Sequence, residues 1–193
     1  MDARFDWRRA ARAAAMAACV LLAACQVKLV SDYDEQIDTG LSRMNTEITA
    51  FVDKMISEAG TPQGTWAANK DFYFQEEAEA DTLIARAEAH AVLHTCPSTK
   101  AIASAVTAMS PSTEVMNYVN QYPQDDCSVI LMKLIRDAIA NLEKFHQEQG
   151  AAGIPAIARG PLLDGGVGSL IHSAMVVELA KKNAQMKATP GGS

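Results

Sequence analysis

The chain has 193 residues, 49% of them hydrophobic, and a formal net charge of −6. That length suits one domain with a core of useful size. The acidic balance argues against nucleic acid as a partner and against an electrostatic grip of the whole domain on anionic lipid.

The first segment reads as an export leader over residues 1–24. Arg4, Arg8, Arg9 and Arg12 give a basic start, diluted by Asp2 and Asp6. Ala13 to Ala24 is uncharged and apolar, with Val20, Leu21 and Leu22 its strongest members. It is short for a transmembrane helix, which needs about 20 apolar residues. Leu22-Ala23-Ala24-Cys25 closes it, with small residues directly before a cysteine. An Ala-rich helix that merely ends in Cys would not need this order of basic start, apolar run and small residues. The segment resembles a bacterial lipoprotein signal with its lipobox. The resemblance implies cleavage before Cys25, lipidation (palmitate included) of Cys25, and a bacterial envelope protein held on a membrane by lipid. Gln26 follows the cysteine. The enterobacterial sorting rule keeps lipoproteins with Asp at that place in the inner membrane, so the resemblance implies the outer membrane.

Removing 24 residues from 193 leaves 169 for the mature chain. The 17 basic and 23 acidic residues fall to 13 and 21, a net charge of −8. Four cysteines are present. Cys19 leaves with the leader and Cys25 is the lipidation site. Cys96 and Cys127 remain as one pair in an oxidising compartment, and a disulfide between them is expected. Closing that loop would stabilise the fold by about 3–4 kcal/mol in the chain-entropy picture.

In the mature chain, Val30, Tyr33, Ile37, Leu41, Met44, Ile48, Phe51 and Met55 step by three or four, which predicts a long first helix. Gly40 interrupts it, and Gly60-Thr61-Pro62 with Gly64 ends it. The stretch Leu29-Val30-Ser31-Asp32-Tyr33-Asp34-Glu35-Gln36-Ile37-Asp38 resembles one that follows the lipidated cysteine in a group of uncharacterised helical bacterial lipoproteins. The likeness covers the leader and first helix and brings no activity with it.

A second helix is expected from about Asp71 to Leu93, with Phe72, Tyr73, Ala80, Leu83, Ile84, Ala87 and Ala91 on its apolar side. Pro97 opens a short helix to Met109, and Pro111 a short segment to Tyr122. Asp125 and Asp126 are placed to cap a further helix. Its apolar face is Leu131, Leu134, Ile135, Ala138, Ile139, Leu142 and Phe145. Residues 150–168, rich in Gly and Pro, read as a long irregular connection. A last helix is expected from about Ser169 to Lys187, with Leu170, Ile171, Ala174, Met175 and Val177 inward, and a loose tail over 189–193. No segment alternates like a strand. The expected architecture is all-α: an antiparallel helical bundle of three or four long helices plus short ones, one helical domain over 25–188.

Chemistry-bearing patterns are few. His90 and His94 share a helical face and, with Cys96, form H-x₃-H-x-C, a weak metal candidate. They lack the Glu of H-E-x-x-H and a third ligand at fixed spacing. Seen as structure, Leu83, Ala87, His90 and His94 fall on one seam. Glu76, Glu77, Glu79 and Asp81 could supply paired carboxylates, or simply a solvated face. Asp164 to Ser169 leads into a helix N-terminus, but it matches neither the dinucleotide fingerprint nor the P-loop. There is no C-x-x-C, no C-x-x-C-H for haem and no G-x-S-x-G nucleophile elbow, so no cofactor and no catalytic residue is assigned. The expectation is a lipid-anchored, non-enzymatic helical module that binds another envelope protein or supports an envelope structure, its first-helix stripe packing within the chain or against a second copy. The alternative is a periplasmic small-molecule or metal-binding lipoprotein, using the bundle interior, the two histidines or the 150–168 connection as a lid.

Overall fold

The computed structural model describes residues 32–91 and 126–188. Among them are four long helices, several short helical turns and no strand: α1 (Glu35–Ser57), α2 (Trp66–His90), α3 (Cys127–Gln149) and, after the short α4 (Arg159–Leu163), α5 (Val167–Ala188). The fold is all-α. The leader, Cys25, Cys96, the two short helices expected between 97 and 122, and the tail over 189–193 lie outside the described residues.

Helices α1 and α3 start where the sequence supplies a cap. The Asp34 carboxylate accepts from the backbone N–H groups of Gln36 (2.8 Å) and Ile37 (3.4 Å), so α1 begins at Glu35. Asp126 does the same for α3, accepting from the Ser128 N–H at 2.8 Å. Helix α2 begins at Trp66, five residues earlier than the sequence suggested. Pro62–Gly64 forms a 3₁₀ turn directly before it, and Asn69 donates back to the Gln63 and Thr65 carbonyls.

The long helices pack as a ring: α1 against α2 and α5, α3 against α2 and α5. Cross-helix pairs fix their directions. Asp34 at the start of α1 meets Arg86 near the end of α2. On α2 and α3, Trp66 meets Glu143 and Glu88 meets Lys133. Ser128 at the start of α3 meets Glu178 and Lys181 late in α5. Neighbours therefore run antiparallel.

The first-helix stripe is consumed inside this ring. Ile37, Leu41, Met44, Ile48, Phe51 and Met55 are all buried. Gly40 is buried too, and a Cβ there would come 2.8 Å from Leu83 Cδ2 and 3.1 Å from Glu79 Oε1. The glycine is where α1 and α2 approach most tightly, which offsets its poor helix propensity.

Residues 150–168 are not an irregular loop. Two 3₁₀ turns (Gly150–Ala152 and Ala156–Ala158) and α4 fill the segment. Ile154, Ala158 and Leu163 plug into the core, and the Gly60 N–H donates to the Ala152 carbonyl at 3.0 Å. Gly153 has φ +68° and sits so close to Gly64 that a side chain would collide with the Gly64 carbonyl. Its glycines and prolines serve tight turns against the α1–α2 connection rather than a lid.

Candidate functional site

Buried polar side chains (Asp34, Glu76, Asp126, Ser128, His146, Glu178 and Lys181) stand out in a core otherwise made of aliphatic and aromatic ones. At one end of the bundle, His146 of α3 lies between two partners. Its Nε2 is 2.9 Å from the Gly64 carbonyl, and its Nδ1 is 2.8 Å from the Tyr73 hydroxyl. A carbonyl only accepts, so Nε2 carries the proton and Nδ1 accepts from Tyr73. Burial holds the His146 pKa below its usual value, against the opposing pull of the Gly64 carbonyl. Burial likewise raises the Tyr73 hydroxyl. Around them, Phe51 stacks on Phe72 with centroids 3.7 Å apart, and Tyr73 meets Phe51 edge-on at 5.3 Å.

At the opposite end, Asp34 is a junction. Besides capping α1, it takes a forked pair from Arg86, whose Nη2 lies 2.7 Å from Oδ2, and His90 Nε2 lies 2.9 Å from the same oxygen. Burial pushes the Asp34 carboxyl up. Arg86 and the two backbone N–H groups outweigh it and hold the pKa below the usual value. His90 thus has a structural partner. His94 and Cys96 lie outside the described residues. Among the described residues no cluster of three or more His, Cys, Asp or Glu side chains could hold a metal ion.

The same end carries a trio that sequence reading missed. Lys181 Nζ donates to Ser128 Oγ at 2.5 Å and to Glu178 Oε1 at 2.7 Å, and Ser128 Oγ donates to Glu178 Oε1 at 3.0 Å. All three side chains are buried, and Glu178 Oε2 has no hydrogen-bond partner. The spacing of Glu178 and Lys181 was visible as an i,i+3 pair; that it faced inward was not.

The acidic run on α2 divides. Glu77 and Asp81 face Arg136 of α3, at 3.7 and 2.8 Å, and Glu79 pairs with Arg43 of α1. Glu76 alone is buried, at 4% exposure, with Oε2 unpartnered. Burial, a hydrogen bond with Glu47 and the charges of Glu47 and Glu79 push its pKa up to about 8, opposed by Arg43. The nearby hollow of about 450 Å³, between α1 and α2, is lined by Gln36, Thr39, Arg43, Glu79 and Thr82 among others. A second, of about 390 Å³, lies where Asn45, Thr49, Arg159 and His172 meet. Both open to the surface.

Cys127, at the first turn of α3, is buried and disulfide-bonded. Its expected partner Cys96 lies outside the described residues.

The stretch Ala156–Met186 is long and apolar enough, by composition, to cross a membrane. It is not one continuous span. Asp164-Gly165-Gly166 divides α4 from α5, and Val167, Leu170, Ile171 and Ala174 are buried in the bundle core. The outer side of α5 is different: Val176, Leu179 and Met186 are 53%, 54% and 60% exposed.

No protein-family model, no curated protein and no solved structure matches this chain.

Proposed function

We propose that the chain is a lipid-anchored bacterial envelope lipoprotein, tethered through Cys25, whose all-α domain is a non-enzymatic binding or structural module. The observation that carries this reading is Leu22-Ala23-Ala24-Cys25, closing a leader with a basic start and an apolar run. In this reading the signal peptide is 1–24, the membrane is the outer one, and Cys96 pairs with Cys127. The organisation of the domain supports a module rather than an enzyme. The His146, Asp34 and Lys181 side chains are each engaged by other side chains of the chain, and the two hollows described open to the surface. The first helix spends its apolar stripe on its own core, so a partner would be met through the outer faces of the bundle.

The test is the intact mass of the protein purified from bacterial membranes, with and without reduction. The expected species is a triacylated chain that begins at Cys25 and gains the mass of two hydrogens on reduction. An unlipidated chain still beginning at Met1 overturns the anchor, the compartment and the disulfide together. Cys25→Ser is expected to move the protein from the membrane fraction to the soluble fraction on fractionation.

A further inference from the structure

We propose that the outer face of α5 lies on the lipid surface to which Cys25 tethers the chain, an inference that rests on the anchor proposed above. Val176, Leu179 and Met186 fall three and seven residues apart, on one side of the helix, and each is more than half exposed. The other large exposed apolar residues, Phe74 and Ile157, belong to other elements and stand singly.

Charge points the same way. Helix α5 holds one acidic residue, Glu178, and it is buried against Lys181 and Ser128. Lys182 is exposed, and no acid of this helix faces outward. The excess negative charge of the domain therefore sits on the other helices. An apolar stripe beside an exposed lysine and free of acids suits a helix lying in the headgroup layer, where a lysine stem covers apolar surface and its ammonium group meets lipid phosphate.

Position supplies the third argument. Gln185 donates to Asp32 at 2.9 Å, and Lys182 Nζ stands 5.2 Å from the centre of the Tyr33 ring. The late turns of α5 thus lie beside the residues seven and eight positions after Cys25. Seven residues reach at most about 25 Å, and Val176 to Met186 spans about 15 Å of helix. A tether of that length holds this end of the bundle at the membrane. Three apolar side chains are little for a stable protein interface, which buries about 800 Å² on each partner. With an anchor already present they suffice to orient the domain. The inner face of α5 stays in the core, so the helix lies on the membrane and does not enter it.

The experiment uses the full, lipidated protein reconstituted into phosphatidylethanolamine–phosphatidylglycerol vesicles. Leu179→Cys is labelled with a polarity-sensitive fluorophore. Ala85→Cys, on exposed α2 diagonally across the ring, is the control. Both positions are exposed, so neither substitution threatens folding. The expected result is a blue shift at position 179 with loss of fluorescence when nitroxide-bearing lipid is included, and neither effect at position 85. A protein that floats with the vesicles while position 179 stays water-like overturns this inference and leaves the anchor standing. Failure to float overturns the anchor and the inference with it. A blue shift at 179 that nitroxide lipid does not quench assigns the face to protein, a second copy or this chain's own segments, and also overturns it.

Discussion

At the scale of single residues, the buried polar groups are the features with measurable consequences. Among the described residues, Tyr73 is the donor to His146 Nδ1. Tyr73→Phe keeps the ring and removes that donor, leaving a buried acceptor without a partner. Urea denaturation is expected to show a loss of about 1–3 kcal/mol. Glu76 behaves differently, because its raised pKa works against folding. The folded state binds its proton up to about pH 8, whereas the unfolded chain releases it near 4.5. Over that window the folded state holds more protons, so stability falls as pH rises and stays low above it. Glu76→Gln is expected to raise the melting temperature at pH 9, by a gain of at least about 1 kcal/mol, and to change it little at pH 5. An equal effect at both pH values would remove Glu76 as the source of the slope. Neither residue's role was legible in the chain. Tyr73 read as an apolar helix position and Glu76 as part of a solvated face, since nothing local says which carboxylate of a run points between two helices.

At the scale of elements, the helices were legible because caps and periodicity are local. The α1 stripe from Ile37 to Met55 and the α3 face from Leu131 to Leu142 could be read from spacing, and both are buried. Leu134 and Ile135 are 2% and 1% exposed. Leu134→Asp and Ile135→Asp place a charge with no partner in the core, and each is expected to abolish the cooperative thermal transition, at a cost of several kcal/mol. Native circular dichroism and melting in both variants would contradict the burial. Gly40 tests the contact of α1 with α2. Gly40→Val gains helix propensity but drives a branched side chain into Leu83, and a net loss of about 2 kcal/mol is expected in a denaturant melt. Two elements went beyond what pattern reading supplies. The first two turns of α3 are buried all round, so Val129, Ile130 and Met132 sit inside along with Leu131. The 150–168 segment looked irregular because Gly and Pro break long helices, but the same residues permit short turns that dock on a neighbour.

At the scale of the whole molecule, the sequence by itself determined the helical class, the place where α3 begins, the core faces of α1 and α3, and the expectation of a lipid anchor. These depend on residues near one another in the chain: a carboxylate three positions before an N–H it accepts, or apolar groups one turn apart. The stripe read from Val30 onward did not show that α1 begins only at Glu35, behind the Asp34 cap. Only the tertiary structure decided the ring order of the helices, the pairing of Tyr73 with His146 and of Ser128 with Lys181, and which side of α5 stays outside. Helix α5 shows why. It is apolar nearly all round, so spacing marked Met175 and Val177 as inward, yet both are only half-buried and Val176 between them is exposed. With no strong polar face of its own, its orientation is set by what α1 and α3 present to it, and that depends on residues far away along the chain.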